Sequence, residues 1–202
     1  MKKKIIRLAI IIAILSIPVF FFATGMSYVP VGVSLGPCLM DYTSPQTYMG
    51  KRPSPLKEER FNMGDGEVLI CYGSPSARSR TVFGGIVEYN SLWRFGANEP
   101  TRLYTNTDMM FGDLPLQKGR YSIYATVQEN EWELFVSTST NHWGNWITQD
   151  VRDLEIGSIK VPVDSTAAYV ESFTIESIGN TSDQKELIIS WEQSKLVVPI
   201  SN

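Results

Sequence analysis

Apolar and polar residues alternate with a period of two over much of the chain. In residues 120–127 and 131–137 every second position is apolar, which predicts two β-strands. The short "QEN" between them is typical of a hairpin turn. Similar short runs, rich in β-forming residues, occur at residues 67–72, 101–107, 157–163, 169–176, 185–192 and 195–200.

The connections between these runs predict the fold class. Residues 192–194 form a tight link between the last two runs, so a final hairpin is expected. No helical period is sustained over three turns after residue 25, and brief helical turns are expected only near residues 89–94 and 149–154. About eight strands at short spacing predict an all-β protein, an antiparallel β-sandwich of the jelly-roll-like kind.

The N-terminus has the pattern of an export segment. Basic residues within "MKKKIIR" precede the apolar run "LAIIIAILSIPVFFFATG", and no charged residue occurs from residue 8 to residue 40. Residues 1–25 are therefore expected to form either a signal peptide cleaved after Gly25 or a retained transmembrane helix, with retention slightly favoured. The remaining chain would lie outside the cytoplasm, anchored to the membrane or released into the periplasm or medium.

Residues 26–60 are expected to be a juxtamembrane linker, because the later part is polar and rich in proline without any period. The folded domain is then expected to span residues 61–202. The net charge of −3 includes the basic residues of the N-terminus, so the rest of the chain is more acidic still. An acidic domain is a poor partner for nucleic acid, whose phosphates are bound by Lys and Arg.

The chain contains two cysteines, Cys38 and Cys71. They could form a disulfide in an oxidising compartment. The alternative, which the sequence context favours, is that Cys71 is a small buried hydrophobic residue on a strand.

Residues 72–101, here called the signature segment, read "YGSPSARSRTVFGGIVEYNSLWRFGANEPT". The segment resembles the signature of an uncharacterised bacterial family of exported β-rich proteins, and the resemblance continues to about residue 200. Ser79 and Pro100 depart from the usual family pattern, but the arginines and the Gly-Ala-Asn-Glu motif are retained. The resemblance implies a β-rich exported domain and implies no activity.

The "WRFGANE" motif allows two interpretations. Arg94 and Glu99 could form an ion pair that holds a long loop on the domain, with Trp93 packed beneath it. Alternatively, Arg94 could bind a ligand carboxylate or phosphate while Asn98 and Glu99 bind hydroxyl groups. The structural interpretation is somewhat favoured, although ordered loops on rigid scaffolds often carry function.

A second motif, "NHWGNW", contains the only histidine of the chain, His142. Trp143 and Trp146 could form a stacking surface for a sugar ring, although packing of both rings in the domain is favoured. The candidate ligand-binding residues are Arg78, Arg80, Trp93, Arg94, Asn98, Glu99, His142 and Trp143.

Several chemistries find no support in the sequence. One histidine and two separated cysteines do not make a zinc site, and "NTDMMFGD" lacks the spacing of a calcium loop. No phosphate-binding loop and no nucleophile elbow is present, so no cofactor or metal is expected and no catalytic residue is assigned. The leading hypothesis is a non-catalytic envelope module that binds a small molecule, a carbohydrate or a partner. The alternative is a hydrolase of envelope sugars or esters that uses two carboxylates, such as Glu99 with Glu88 or Asp108.

Overall fold

The computed structural model describes Cys38 and residues 52–140, 142, 144–179 and 181–202. The predicted export segment and most of the predicted linker lie outside these residues. Within the described ranges, no helix is long and apolar enough to cross a membrane.

The described residues form eleven strands and one short helix, α1, at Gln149–Arg152. In chain order the strands are β1 Leu56–Met63, β2 Gly66–Gly73, β3 Leu92–Trp93, β4 Thr101–Thr105, β5 Met109–Phe111, β6 Leu114–Leu116, β7 Gly119–Val127, β8 Glu131–Ser137, β9 Glu155–Pro162, β10 Asp164–Ile178 and β11 Gln184–Ser201. One sheet has the order β1-β2-β4-β7-β8-β9, with β3 also paired to β7. The other has the order β10-β11-β5-β6.

The predicted all-β class is confirmed, because the named strand pairs in both sheets are antiparallel. The alternation in β7 and β8 also has its expected consequence. Ile123 and Ala125 of β7 and Leu134 and Val136 of β8 are buried in the main core. That core takes residues from both sheets, so the two sheets bury their apolar faces in common.

The predicted final hairpin is wrong, because β11 continues through residues 192–194 as one strand of 18 residues. Its buried apolar positions change from odd numbers, ending at Trp191, to even numbers, beginning at Leu196. Glu192, with φ of 53°, lies where the register shifts and allows one face to stay on the core. Its carboxylate accepts hydrogen bonds from the backbone N–H groups of Val82 (3.0 Å) and Phe83 (3.4 Å).

Two other expectations differ from the structure. The helical turn expected near residues 89–94 is replaced by the short strand β3, whereas the one expected near residues 149–154 is present as α1. Strand β1 begins at Leu56, inside the stretch interpreted as linker. It is the edge strand of its sheet, and its exposed Lys57 and Glu58 give it a polar sequence.

Cys38 and Cys71 form a disulfide with a Cα–Cα distance of 5.7 Å, which corrects the favoured interpretation of Cys71 as an unpaired residue. Cys71 alternates along β2 with the core residues Ile70 and Tyr72, so it faces away from the main core. The disulfide packs with buried Leu69 in a small cluster on that outer face.

Candidate functional site

The signature segment is attached to β10 by main-chain hydrogen bonds. The N–H of Ala77 donates to the carbonyl of Glu171, and the N–H of Phe173 donates to the carbonyl of Pro75, both at 2.9 Å. The hydroxyl of Ser74 donates to the carbonyl of Phe173 at 2.7 Å and is fully buried. The beginning of the segment is therefore part of the packed domain rather than a loose loop.

Trp93 is a core residue. Its side chain is 5% exposed, and its indole N–H donates to the carbonyl of Gly96 at 3.1 Å. The ring stacks on Trp191 of the other sheet with centroids 6.0 Å apart. It also makes edge contacts with four further aromatic rings: Phe83, Phe95, Trp132 and Phe173. These contacts show that the role of Trp93 is to pack between the two sheets.

The "GANE" turn is held by residues 52–55, here called the connector, which lead into β1. Glu99 is 3% exposed, and both of its carboxylate oxygens accept hydrogen bonds from the guanidinium of Arg52, one of them at 2.8 Å. The expected Arg–carboxylate pair is therefore present, but the arginine is Arg52 rather than Arg94. Sequence analysis missed this partner because it lies in the polar stretch interpreted as linker.

Arg94 supports the same turn from within. Its Nη1 donates to the carbonyl of Asn98 at 3.3 Å. Burial lowers the pKa of Arg94, and the nearby carboxylate of Glu99 partly offsets that effect. Asn98 has a left-handed φ of 65°, which asparagine tolerates, and its amide lies 3.5 Å from the carbonyl of Ser54 in the connector. Gly73 lies against Ala97, where a Cβ would overlap the Ala97 carbonyl.

Arg78 and Arg80 bind main-chain carbonyls. Nη2 of Arg78 donates to Pro53 in the connector at 2.7 Å. Arg80 donates from Nε to Ala77 at 2.9 Å and from Nη2 to Ser76 at 3.1 Å. The guanidinium of Arg80 therefore stabilises the turn in which it occurs, whereas that of Arg78 holds this turn on the connector. These contacts do not bring either group to the Arg94 side chain.

His142 lies near the outer face of the first sheet. Its ring meets the buried ring of Tyr124 edge to face, with centroids 6.3 Å apart. Burial lowers the pKa of His142; the backbone of Ser139 acts in the opposite direction, and the positive charge of Arg102 lowers the pKa further. Trp143, the last of the candidate residues, lies outside the described residues.

A cavity of about 260 Å³ lies where the signature segment meets residues 144–148. Its lining consists of Ile86, Val87, Glu88, Ser91, Leu92, Trp93 and Asn145. Among the described members of the sequence-based candidate set, only Trp93 is in this lining. His142 packs on Tyr124, and the other described candidates lie in the turns that hold the segment.

Three large apolar side chains at or near this cavity are exposed. Trp146, which directly follows the lining residue Asn145, is 73% exposed; Ile86 is 44% exposed and Tyr89 is 36% exposed. Sequence analysis favoured packing for Trp146, and the structure shows the opposite. The spacing of the two tryptophans in "NHWGNW" was the available signal, but it does not distinguish a packed ring from an exposed one.

Polar groups at the cavity have a defined orientation. Oδ1 of Asn145 accepts a hydrogen bond from the backbone N–H of Arg94 at 3.1 Å, which leaves its Nδ2 group as a donor for another molecule. Glu88 is an exposed residue of the cavity lining, and its carboxylate makes no ion pair with any described residue. The hydroxyl of Ser91 adds a further group that can donate or accept.

A larger concavity of about 590 Å³ lies at the turn between β10 and β11. Its described lining contains no aromatic side chain, and Ile178 is its one large apolar side chain that is substantially exposed. The smaller cavity combines aromatic and polar groups and is the better candidate. In the part of the chain that the structure describes, no group of three or more His, Cys, Asp or Glu side chains could hold a metal ion.

The fold and this site define the molecule as an all-β protein of two antiparallel sheets with a long, firmly attached connection between β2 and β4. The chain belongs to the DUF2911 family, described as proteins of unknown function, whose model matches residues 54–200. The match begins within the connector, so the family unit includes β1. Comparison with curated proteins gave no match, and comparison with solved structures gave none.

Proposed function

We propose that the protein is a non-catalytic binding module of the bacterial cell envelope whose ligand is a carbohydrate. The observation that carries the proposal is the exposure of Trp146, 73%, directly after Asn145, which lines a cavity with polar groups available to a ligand. An exposed aromatic face can stack on the apolar face of a sugar ring, whereas a tryptophan without such a role is ordinarily well buried. Tyr89 and Ile86 extend the exposed apolar surface on the signature segment.

The polar groups at the cavity suit the edge of a sugar ring. The Nδ2 group of Asn145 can donate to a ring hydroxyl, and the carboxylate of Glu88 can accept from one. The volume of about 260 Å³ lies just below the usual range for ligand pockets, roughly 300–1,000 Å³. A single ring held at the surface fits this site better than a long ligand enclosed within it.

Binding is favoured over hydrolysis by the environment of the carboxylates. Glu99 is buried and occupied by both terminal nitrogens of Arg52, so it is not available as an acid, base or nucleophile. Among the residues that the structure describes, Glu88 is the only carboxylate in the cavity lining. A glycosidase ordinarily uses two carboxyl groups on opposite sides of the scissile bond.

We further propose that the domain lies outside the cytoplasm, either anchored by residues 1–25 or released after cleavage. The basic and then apolar N-terminus supports export. The disulfide supports it too, since the two cysteines of the chain are paired and disulfides persist in oxidising compartments. Mass spectrometry of the native protein distinguishes the outcomes: an intact N-terminus indicates an anchor, whereas a mature N-terminus at Met26 indicates a cleaved signal peptide.

The binding proposal is tested by calorimetric titration of the intact chain with oligomers of glucose, mannose and N-acetylglucosamine. At least one series should bind, and Trp146→Ala should weaken that binding by about tenfold or more, as loss of an aromatic contact predicts. Tyr169→Ala is the matched control, because Tyr169 is also an exposed aromatic residue, at 53%, but lies on β10. Equal losses in both variants, or no binding by any series, would contradict the proposal.

A further inference from the structure

We infer that the saccharide bound at this cavity carries a protonated amino group. This inference rests on the proposed function and narrows its ligand class. Among the described lining residues Glu88 is the one ionisable side chain; it is exposed, and no described residue neutralises it by an ion pair. The lining therefore presents a single unpaired negative charge.

Two arginines of the adjoining segments of the chain, Arg94 and Arg152, are engaged in other contacts. The guanidinium of Arg94 donates a hydrogen bond to the carbonyl of Asn98, and it also interacts electrostatically with the nearby carboxylate of Glu99. Arg152 of α1 pairs with Glu155 at 3.0 Å and lies over the ring of Phe135. Neither arginine is part of the cavity lining.

The exposed rings next to Glu88 favour a cation as well. Tyr89 follows Glu88 in the chain and is 36% exposed, while Trp146 follows the lining residue Asn145. The face of a tryptophan or tyrosine ring attracts an ammonium group within about 6 Å of the ring centre. A carboxylate in the cavity lining, with exposed aromatic residues that directly follow two lining residues in the chain, is a combination suited to an alkylammonium group.

A second polar group of the cavity, the side-chain amide of Asn145, favours an amine that also carries hydroxyl groups over a simple alkylamine. Asn145 is fixed by the Arg94 backbone N–H so that its free amide group donates. A donor in this position suits a hydroxyl or ring oxygen. A hexosamine ring has both features, an ammonium group for Glu88 and oxygen atoms for Asn145.

The test compares two oligosaccharides that differ only in N-acetylation: the hexamer of glucosamine and the hexamer of N-acetylglucosamine. The intact chain is titrated with each at mildly acidic pH, which keeps the sugar amines protonated, and again at higher salt. The wild-type chain should bind the deacetylated hexamer about fivefold or more tightly than the acetylated one, and added salt should reduce this preference. Glu88→Gln should abolish the preference, because the amide keeps a hydrogen-bond acceptor for hydroxyl groups but carries no negative charge.

Glu129→Gln is the matched control, because Glu129 is an exposed carboxylate in the β7–β8 turn, and it should keep the wild-type preference. Equal affinity for the two hexamers, both weakened in Trp146→Ala, would overturn the amine inference and leave the carbohydrate proposal standing. Absence of binding by either hexamer, with tight binding of a glucose or mannose series, would also overturn the inference alone. No binding by any saccharide would overturn both.

Discussion

Trp93, on the signature segment, and Trp146, in the segment after β8, have opposite environments. Trp93 is 5% exposed and contacts aromatic rings from both sheets, whereas Trp146 is 73% exposed. Trp93 forms part of the cavity lining, and so does Asn145, which directly precedes Trp146 in the chain. The comparison shows that the composition of a motif does not indicate whether its tryptophan is available to a ligand.

The same contrast applies to the charged residues. Glu99 is paired with Arg52 and buried, so its interactions are used to hold the "GANE" turn on the connector. Glu88 has no described ion-pair partner and faces the cavity. We conclude that the parts of the signature segment bound to β10 and to the connector stabilise the domain. Residues 86–89 instead provide apolar surface that is exposed to a ligand.

The largest effect on stability is expected at Trp93. Trp93→Ala should lower the free energy of unfolding by about 3–5 kcal/mol, because it leaves a void among buried rings. Trp146→Ala should change it by no more than about 0.5 kcal/mol, as for an ordinary surface substitution. Denaturant unfolding followed by far-ultraviolet circular dichroism measures both values, and similar losses in the two variants would break the comparison.

A somewhat smaller loss is expected at Glu99. The side chain of Arg52 is only 10% exposed, and Glu99→Gln leaves it without a carboxylate partner. The substitution should therefore lower the free energy of unfolding by about 3 kcal/mol. Glu131→Gln is the control, because its pair with Lys160 at 3.5 Å is exposed and should be worth less than about 1 kcal/mol. If the two substitutions cost the same, the Arg52–Glu99 pair does not hold the turn.

Arg94→Ala should have an intermediate effect of about 1–2 kcal/mol. The substitution removes the hydrogen bond from Nη1 to the carbonyl of Asn98, but the backbone N–H of residue 94 can still donate to Asn145. The same unfolding experiment measures this loss. A loss as large as that of Glu99→Gln would mean that Arg94 carries the buried charge interaction itself.

The smallest effect is expected from His142. Since burial lowers the pKa of His142 below its ordinary value of 6.5, the folded state binds this proton less readily than the unfolded state. The contribution to stability is therefore complete above pH 6.5 and is lost as the pH falls below that value and through the lower folded-state pKa. The positive charge of Arg102 acts in the same direction as burial, while the backbone of Ser139 opposes it.

Melting temperatures measured across this pH range for the wild-type chain and for His142→Gln test whether the pKa of His142 is lower in the folded state. The wild type should lose stability relative to the variant on the acidic side, because the glutamine cannot become charged. Parallel curves for the two proteins would show that His142 does not titrate differently in the folded and unfolded states.

Local alternation was sufficient to predict much of the fold. Strands β7 and β8 were predicted because each has one face on the core and one facing outward. The final hairpin was predicted wrongly because a bulge at Glu192 and a tight turn produce the same change in alternation. The pairing with β10 distinguishes the two cases: β10 pairs with β11 on both sides of Glu192, so the strand continues instead of turning back.

The site was less accessible to sequence reasoning. The need for an ion pair at Glu99 was recognised, but its partner Arg52 is 47 residues away in the chain and lies in a stretch without a pattern. The cavity is formed by residues 86–93 together with Asn145, and no local signal joins these two segments. Trp146 was interpreted as packed because a tryptophan in a turn is usually buried, and only the fold shows that no described element covers it.

The central claim, that ligand binding occurs at Trp146 beside an internally packed Trp93, is tested most directly by following the indole N–H resonances during titration. The intact ¹⁵N-labelled chain is titrated with the glucosamine hexamer, and the signals are assigned with Trp146→Phe and Trp191→Phe variants. The account predicts that the Trp146 signal shifts with saturation while the Trp191 signal, from the core, does not. A titration in which the Trp146 signal stays unchanged while backbone signals around the concavity of residues 178–186 shift would contradict it.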